Sequence, residues 1–143
     1  MNVATILATK GRDVVTIEGS ASLLDTARSL SSHKIGAIVV SDDGVSVKGI
    51  VSERDIVNAI AKSGAEVLLR SVSNYMTKNV VTCQDDEAIN ALMEKMTKGH
   101  FRHLPVVNEK RLDGIISIGD VVKMRIVQAQ SEADAMRDYI TTG

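Results

Sequence analysis

Two serine–aspartate pairs are the residues of this sequence whose types and spacing could do chemistry. Ser52 and Asp55 follow Gly-Ile-Val, and Ser117 and Asp120 follow Gly-Ile-Ile 65 positions later. In each pair a hydroxyl and a carboxylate, three residues apart, can bond the free backbone N–H groups at the start of a helix. One such capping box needs no ligand. Two of them in the same setting indicate that the chain consists of two related halves.

The predicted elements around each pair support this division. Short β-branched runs favour strands, and apolar residues at helical spacing favour helices. The first half is predicted to contain a strand, a helix, two strands and a helix, at residues 14–17, 22–33, 36–40, 47–51 and 52–62. The second half repeats this β-α-β-β-α order at residues 80–83, 89–96, 104–107, 112–116 and from 118 onward. Such small sheets cannot bury both faces alone, so we expect the halves to pack on each other.

The segments before and between the halves complete the predicted organisation. Val3, Ile6 and Leu7 predict a short helical or irregular lead-in that could pack on the core, and residues 65–70 favour another helical turn. We assign residues 1–71 to the first repeat with its lead-in, 72–128 to the second repeat and 129–143 to a C-terminal helical extension. The predicted fold class is α/β, of the α+β kind.

A long helix is predicted at the C-terminal end, over residues 118–140. Its apolar residues are spaced by 4, 3, 4, 3 and 4 positions, which is a coiled-coil-like seam; they are Val122, Ile126, Ala129, Ala133, Met136 and Ile140. The seam could fold back on its own core or dock on a second subunit. Both alternatives stay open, because the pattern covers fewer than the three to four heptads that identify a coiled coil.

Composition excludes several classes of protein. The 17 basic and 18 acidic residues leave no field that would attract nucleic acid or an anionic membrane, and three aromatic residues are too few for base stacking. The single cysteine, Cys83, excludes an intramolecular disulfide and favours a reducing compartment. Neither a signal peptide nor an apolar run of membrane-spanning length is visible. We therefore expect a soluble, cytoplasmic protein.

The sequence also lacks the residue patterns of an enzyme. Cys83 has no histidine nearby in sequence and is interpreted as a core thiol. His100 and His103 lack a convincing third metal ligand, and the phosphate-loop motif G-x-x-x-x-G-K-S/T is absent. We expect neither catalysis nor a metal site.

The doubled unit with G-h-h-S-x-x-D corners, where h is apolar, resembles the CBS-domain pair, which is named after cystathionine β-synthase and is also called a Bateman module. Met76-Thr77 and Leu-Pro-Val-Val at 104–107 agree with it, over about residues 3–128. The tail resembles that of small stand-alone bacterial members. The resemblance implies two tandem CBS repeats packed about a pseudo-twofold axis, often as a homodimer. Such pairs bind AMP, ADP, ATP, NAD(H) or S-adenosylmethionine in two clefts, and they regulate a partner protein without catalysis.

The resemblance assigns the two corners to the nucleotide. Asp55 and Asp120 would accept hydrogen bonds from ribose hydroxyls, as acidic residues do in dinucleotide sites. Ser52 and Ser117, with the backbone N–H groups at the helix N-termini, would bond ribose or phosphate oxygens. Thr77 is included among the binding residues because it belongs to the family signature.

The halves are chemically unequal where phosphate is expected. Arg54 has Gly119 as its counterpart. Arg102 and His103 lie, by resemblance, near the pseudo-twofold axis where phosphates from both clefts converge. An arginine can bind phosphate with two hydrogen bonds, whereas His103 would bind phosphate when protonated or simply bond a neighbour.

The base would lie against strand backbone. Val14, Ile35 and Gly36 are assigned to one pocket, and Val80 and Phe101 to the other. Gly36 is the most suggestive of these, because a glycine in a strand can permit close approach of a ligand. The alternative is a non-sensing dimerisation platform with degenerate clefts.

Overall fold

The computed structural model of the protein describes residues 1–142 and has the two predicted units. Its elements, in chain order, are α1 (Val3–Lys10), β1 (Thr16–Ile17), α2 (Leu23–His33), β2 (Ala37–Val40), β3 (Gly49–Ser52), α3 (Glu53–Ser63), two short 3₁₀ helices (Ala65–Leu69 and Val72–Asn74), α4 (Ile89–Gly99), β4 (His103–Asn108), β5 (Arg111–Ser117) and α5 (Ile118–Thr142). The α+β fold class, the doubled unit and the long final helix are confirmed.

The first unit is built on a three-stranded sheet in the order β1-β2-β3. Strand β1 pairs in parallel with β2, and β2 pairs antiparallel with β3 so that Ala37 lies opposite Ser52. All four residues of β2 are buried, as its run without polar alternation predicts. Strand β3 therefore ends beside the start of β2, and α3 begins at that point.

The second unit has two paired strands where three were predicted. Strands β4 and β5 form an antiparallel pair, with His103 opposite Ser117. The prediction of a strand at 80–83 is wrong, since only Cys83 makes a bridge there, to Val106. A parallel ladder extended back from Cys83 would need the backbone N–H of residue 105, which is a proline and has none. The strand predicted at 14–17 is likewise only two residues long, Thr16–Ile17.

The segment that precedes each unit packs on the other unit. Val3, Ile6 and Leu7 of α1 are buried in the core of the second unit, and Val3 N donates to Glu87 O at 3.0 Å. The segment between the units packs in the reciprocal way, since its Val67 and Val72 are buried in the core of the first unit. The predicted lead-in is thus a helix that packs on the second unit.

Arg12 ties the end of this lead-in to the second unit. Its guanidinium lies 2.8 Å from a carboxylate oxygen of Asp85 and 2.8 Å from one of Asp113. Asn108 Nδ2 donates to the same two carboxylates at 2.8 Å. The segment from α1 to Arg12 is therefore held against the second unit at both ends.

Cys83 is a core thiol, as expected from its position at the end of an apolar run. Its side chain is buried, and burial, followed by the negative charge of Glu87, raises the pKa of the thiol to about 12. A thiol held protonated in this way is a poor nucleophile.

The seam of α5 is exposed from its first residue onward. Of Val122, 47% is exposed, and the exposed fraction is 65% for Ile126, 61% for Met136 and 70% for Ile140. The alternative in which the seam folds back on its own core is therefore wrong for this chain. No helix in residues 1–142 is long and apolar enough to cross a bilayer.

Candidate functional site

Both corners carry the capping box that the sequence predicts. At the first corner Ser52 N donates to Asp55 Oδ2 at 2.9 Å, and Asp55 N donates to Ser52 Oγ at 3.2 Å. At the second, Ser117 N donates to Asp120 Oδ2 at 2.8 Å, and Asp120 N donates to Ser117 Oγ at 3.2 Å. Each carboxylate is thereby fixed at the mouth of a helix N-terminus.

A cavity of about 550 Å³ opens between the two units at the first corner. This volume lies in the range of small-molecule sites. Nine of the thirteen residues predicted to bind a nucleotide line it, namely Gly36, Ser52, Arg54, Asp55, Thr77, Val80, Phe101, Arg102 and His103. The other four, which are Val14, Ile35, Ser117 and Asp120, are not among its lining residues. The structure thus brings most of the predicted set together around Asp55.

The cavity differs from the predicted separation of the base pockets. Gly36 lies in the same cavity as Val80 and Phe101, not in an opposite one. The starts of β2 and β4 approach each other here, and a Cβ added to Gly36 would lie 3.3 Å from His103 Cε1. The close approach that this glycine permits is by a side chain of the other unit. Ile35 packs on the core of the first unit instead.

The cavity contains side chains of both charges that form no ion pair within the described residues. Within residues 1–142 no cation is paired with Asp55, and Arg54 and Arg102 have no ion-pair partner. Both arginines are exposed, whereas Asp55 is half-buried. The site therefore combines one fixed acceptor and two exposed cations with a second, exposed carboxylate, Glu53. The fixed acceptor and the two arginines suit a ligand that has both hydroxyl donors and negative charge.

His103 is held in its neutral form. Burial lowers the pKa of His103, and the charge of Lys10 lowers it further, against the opposing effects of Asp120 and Glu53. Its imidazole is consequently uncharged at neutral pH and can accept a hydrogen bond as well as donate one. Binding of phosphate by a charged His103 would require proton uptake.

The second corner is closed by a residue that sequence reasoning missed. Lys10 Nζ lies 2.6 Å from Asp120 Oδ2 and 2.8 Å from the carbonyl oxygen of Ile115. Burial alone would raise the pKa of Asp120, but the hydrogen bonds from Lys10 and Ser117 outweigh it, and the pKa falls below its ordinary value. Lys10 is 110 residues from its partner, so no local pattern identifies it.

Seven residues that line the cavity were also not predicted, namely Ile50, Glu53, Asn79, Val81, Gly99, His100 and Ile118. Among them, Asn79, His100 and Ile118 line the cavity together with the ring of Phe101. An added Cβ on Gly99 would overlap that ring, so the glycine at the end of α4 makes room for Phe101. A glycine at a helix end followed by an aromatic residue is the only sequence signal for this arrangement.

The fold and the cleft define a duplicated α+β module with a cavity between its halves. The family model of the CBS domain matches the chain twice, at residues 5–62 and 72–126. The chain belongs to the CBS-domain family.

Known relatives agree with this assignment. The crystal structure of a CBS-domain containing protein from Agrobacterium tumefaciens is 56% identical, with a TM-score of 0.84, and the match covers 87% of this chain and 99% of that one. A mitochondrial CBS domain-containing protein of Arabidopsis thaliana is 30% identical over 126 residues, which are 85% of this chain. This match spans 61% of the Arabidopsis protein.

Two similar structures contain adenosine derivatives. A CBS domain protein from Pyrobaculum aerophilum, complexed with AMP, is 27% identical with a TM-score of 0.75, covering 84% of this chain and 89% of that one. The CBS domain pair of protein MJ0100, in complex with 5′-methylthioadenosine and S-adenosyl-L-methionine, is 25% identical with a TM-score of 0.78, covering 90% and 98%. Both of these similar proteins therefore bind adenosine-containing ligands.

Proposed function

We propose that this chain is a regulatory module that binds an adenosine-containing nucleotide in the cavity at the first corner. It signals occupancy to a partner protein and catalyses no reaction itself. The observation that carries the proposal is the convergence of Asp55, Arg54 and Arg102 on one cavity between the two units. The AMP and S-adenosylmethionine complexes of similar CBS pairs support the ligand class.

Each part of the ligand has a matching surface. Asp55 accepts hydrogen bonds from the two vicinal ribose hydroxyls, since a carboxylate offers two acceptor oxygens. Arg54 and Arg102 bind phosphate through their planar guanidinium groups. Val80 and Phe101 cover the faces of the base, with Phe101 held in place over Gly99.

Phosphorylated ligands are favoured at this cavity. Its two arginines are unpaired within the described residues, and a phosphate would neutralise them. AMP, ADP, ATP and NAD(H) all present the same adenosine together with phosphate, so we propose this group ahead of S-adenosylmethionine, which carries no phosphate.

Calorimetric titration with AMP, ATP, NADH and S-adenosylmethionine tests the proposal. We expect Asp55→Asn to weaken AMP binding by about ten- to a hundredfold, because hydrogen bonds to a charged group are lost. Asp25→Asn is the matched control, since Asp25 occupies the same first-turn position after the N-cap Ser22 of α2 and is not in the cavity lining. No binding of any of these ligands to the unmodified chain would overturn the proposed function.

The exposed seam supports a second function, self-association through α5. We propose that two copies pair along the seam, because its apolar residues lie on one exposed face at coiled-coil spacing. Ile126→Glu should shift the species seen in sedimentation towards the monomer, whereas Lys123→Glu, next to the seam, should not. A chain that is monomeric at all concentrations would exclude pairing, and dimers without nucleotide binding would favour a dimerisation platform.

A further inference from the structure

The second corner differs from the first because an internal cation occupies it. Lys10 Nζ lies 2.6 Å from Asp120 Oδ2, with 33% of the lysine side chain and 23% of the aspartate side chain exposed. The ammonium also donates to Ile115 O at 2.8 Å. This ion pair joins the end of α1 to the start of α5, across the position where a second nucleotide would place its ribose.

Lys10 takes the place of Thr77 in one hydrogen bond to the backbone. At the first corner, Ile50 O accepts from Thr77 N at 2.9 Å, and Ile50 N donates to Thr77 O at 3.1 Å. Ile115 is the counterpart of Ile50 in the second unit, and its carbonyl accepts from the Lys10 ammonium instead. Thr77 lines the first cavity. At the second corner, Lys10 therefore bonds the carbonyl group that corresponds to the one bonded by Thr77 at the first.

The hydrogen bonds to Asp120 leave little capacity for a ribose hydroxyl at Oδ2. Its Oδ2 atom already accepts from Ser117 N at 2.8 Å, from Ser117 Oγ at 2.9 Å and from Lys10 Nζ. The corresponding oxygen of Asp55 accepts only from Ser52 N at 2.9 Å within the described part of the chain. The other carboxylate oxygen, Oδ1, accepts no hydrogen bond within the described part of the chain, so a vicinal diol that bonds both oxygens competes with the ammonium for Oδ2.

The displaced ammonium has few other partners. The acidic residues near the end of α1, Asp85 and Asp113, are bridged by Arg12. Besides Lys10 and Asp120, the charged groups near His103 are Arg102, which repels a second cation, and Glu53, which attracts one. The long stem of lysine keeps the ammonium within reach of the ligand, so a phosphate on that ligand would restore its pairing.

We propose that Lys10 makes the second cleft selective for phosphorylated adenosine over bare adenosine. The inference rests on the proposed function, since it concerns a ligand of the same class. Adenosine that bonds both carboxylate oxygens would weaken the Lys10–Asp120 pair without compensation. A nucleotide would exchange that pair for one between Lys10 and its phosphate.

The experiment compares adenosine with AMP at the second cleft. Asp55→Asn disables the first cleft, and calorimetry is run with and without Lys10→Met in that background. Lys10→Met should strengthen adenosine binding and weaken AMP binding, each about fivefold, which is the upper end for a partly exposed ion pair. The ratio of the two dissociation constants then changes by more than about tenfold.

Lys48→Met is the matched control, because Lys48 pairs with Asp42 elsewhere on the first unit and should leave the ratio unchanged. Equal changes for adenosine and AMP, or no change, overturn the inference. If the unmodified chain binds AMP but Asp55→Asn abolishes all binding, the second cleft is not a site and the inference fails while the proposed function stands. If neither ligand binds the unmodified chain or Lys10→Met, the inference fails, and the proposed function fails as well when ATP, NADH and S-adenosylmethionine also do not bind.

Discussion

The two corners of this protein have nearly the same backbone but different surroundings. Each ends a strand with serine and begins a helix with a capping box, and the box distances agree within 0.1 Å. Asp55 nevertheless faces a cavity with unpaired arginines, whereas Asp120 is bound by Lys10. The residues of each corner form the helix cap. A segment from elsewhere in the chain determines which groups lie next to the carboxylate.

The lead-in segments carry this difference. The first corner is completed by the backbone of Thr77, which leaves the carboxylate of Asp55 available to a ligand. The second is completed by the side chain of Lys10, which brings a charge. Duplication of a unit therefore does not duplicate its site when the completing segments differ.

Among the predicted changes, the largest effect is expected from weakening the packing of α1, the helix that carries Lys10 to the second corner. Leu7 is 2% exposed, and its Cδ atoms lie 3.0 Å from where a Cβ on Gly114 would be. Leu7→Ala should lower the free energy of unfolding by about 3 kcal/mol, through lost burial and the cavity left behind. Urea unfolding followed by circular dichroism measures the change.

A leucine of the other lead-in is the control for this substitution. Leu69 is 81% exposed, so Leu69→Ala should change the free energy by less than about 0.5 kcal/mol. A loss below about 1 kcal/mol for Leu7→Ala would contradict the packing of α1 on the second unit.

The C-terminal residues of α2 and α4 provide a second comparison, and the expected effect on AMP affinity is of intermediate size. The last residue of α4 is Gly99, with Phe101 over it, whereas α2 ends in the exposed His33. Gly99→Ala should force the Phe101 ring out of the cavity wall and weaken AMP binding by about 1 kcal/mol, about fivefold in Kd. Calorimetry measures it, and His33→Ala should bind as the unmodified chain does. Unchanged affinity in Gly99→Ala would remove Phe101 from the site.

The smallest expected effect is the pH dependence of the Lys10–Asp120 pair. The folded-state pKa of Asp120 lies below its ordinary value, so its contribution to stability is fully present above about pH 4 and is lost as the pH falls through the folded pKa. Asp120→Asn should lower the free energy of unfolding by about 0.5–1 kcal/mol at pH 7. This loss of unfolding free energy should be smaller at about pH 2.5, where the carboxylate is protonated in most unfolded chains.

The control is to measure the effect of Asp120→Asn on unfolding in a chain that already carries Lys10→Met. The amide oxygen that Asp120→Asn introduces can still accept from Ser117 N, so the cap survives and the comparison isolates the charge. A cost that is independent of both pH and Lys10 would show that the carboxylate acts through the cap alone.

Local patterns predicted the local structure. Helix periods and Ser-x-x-Asp boxes depend on residues three or four apart, and these predictions hold for α2, α3 and both corners. The strand at 80–83 failed because its ladder depends on Pro105, more than twenty residues away. A strand is stable only where its partner can supply the matching hydrogen bonds.

The site could be predicted as a set of residues but not as two clefts. Repetition and family signatures pointed to Asp55 and Asp120 alike, and neither signal records that Lys10 would reach Asp120. The assignment of Gly36 to a separate pocket failed for a related reason, because the distance between β2 and β4 depends on how the units pack. Contacts between units follow from tertiary packing, for which periodicity carries no information.

The exchange of lead-in segments has a consequence for synthesis on the ribosome. Helix α1 is made well before the second-unit residues that bury it, from Cys83 to Val121. Its apolar face must wait for about a hundred residues, some 5–20 s at ordinary elongation rates. During that interval the nascent first unit presents an unburied helix, which is a natural target for a chaperone.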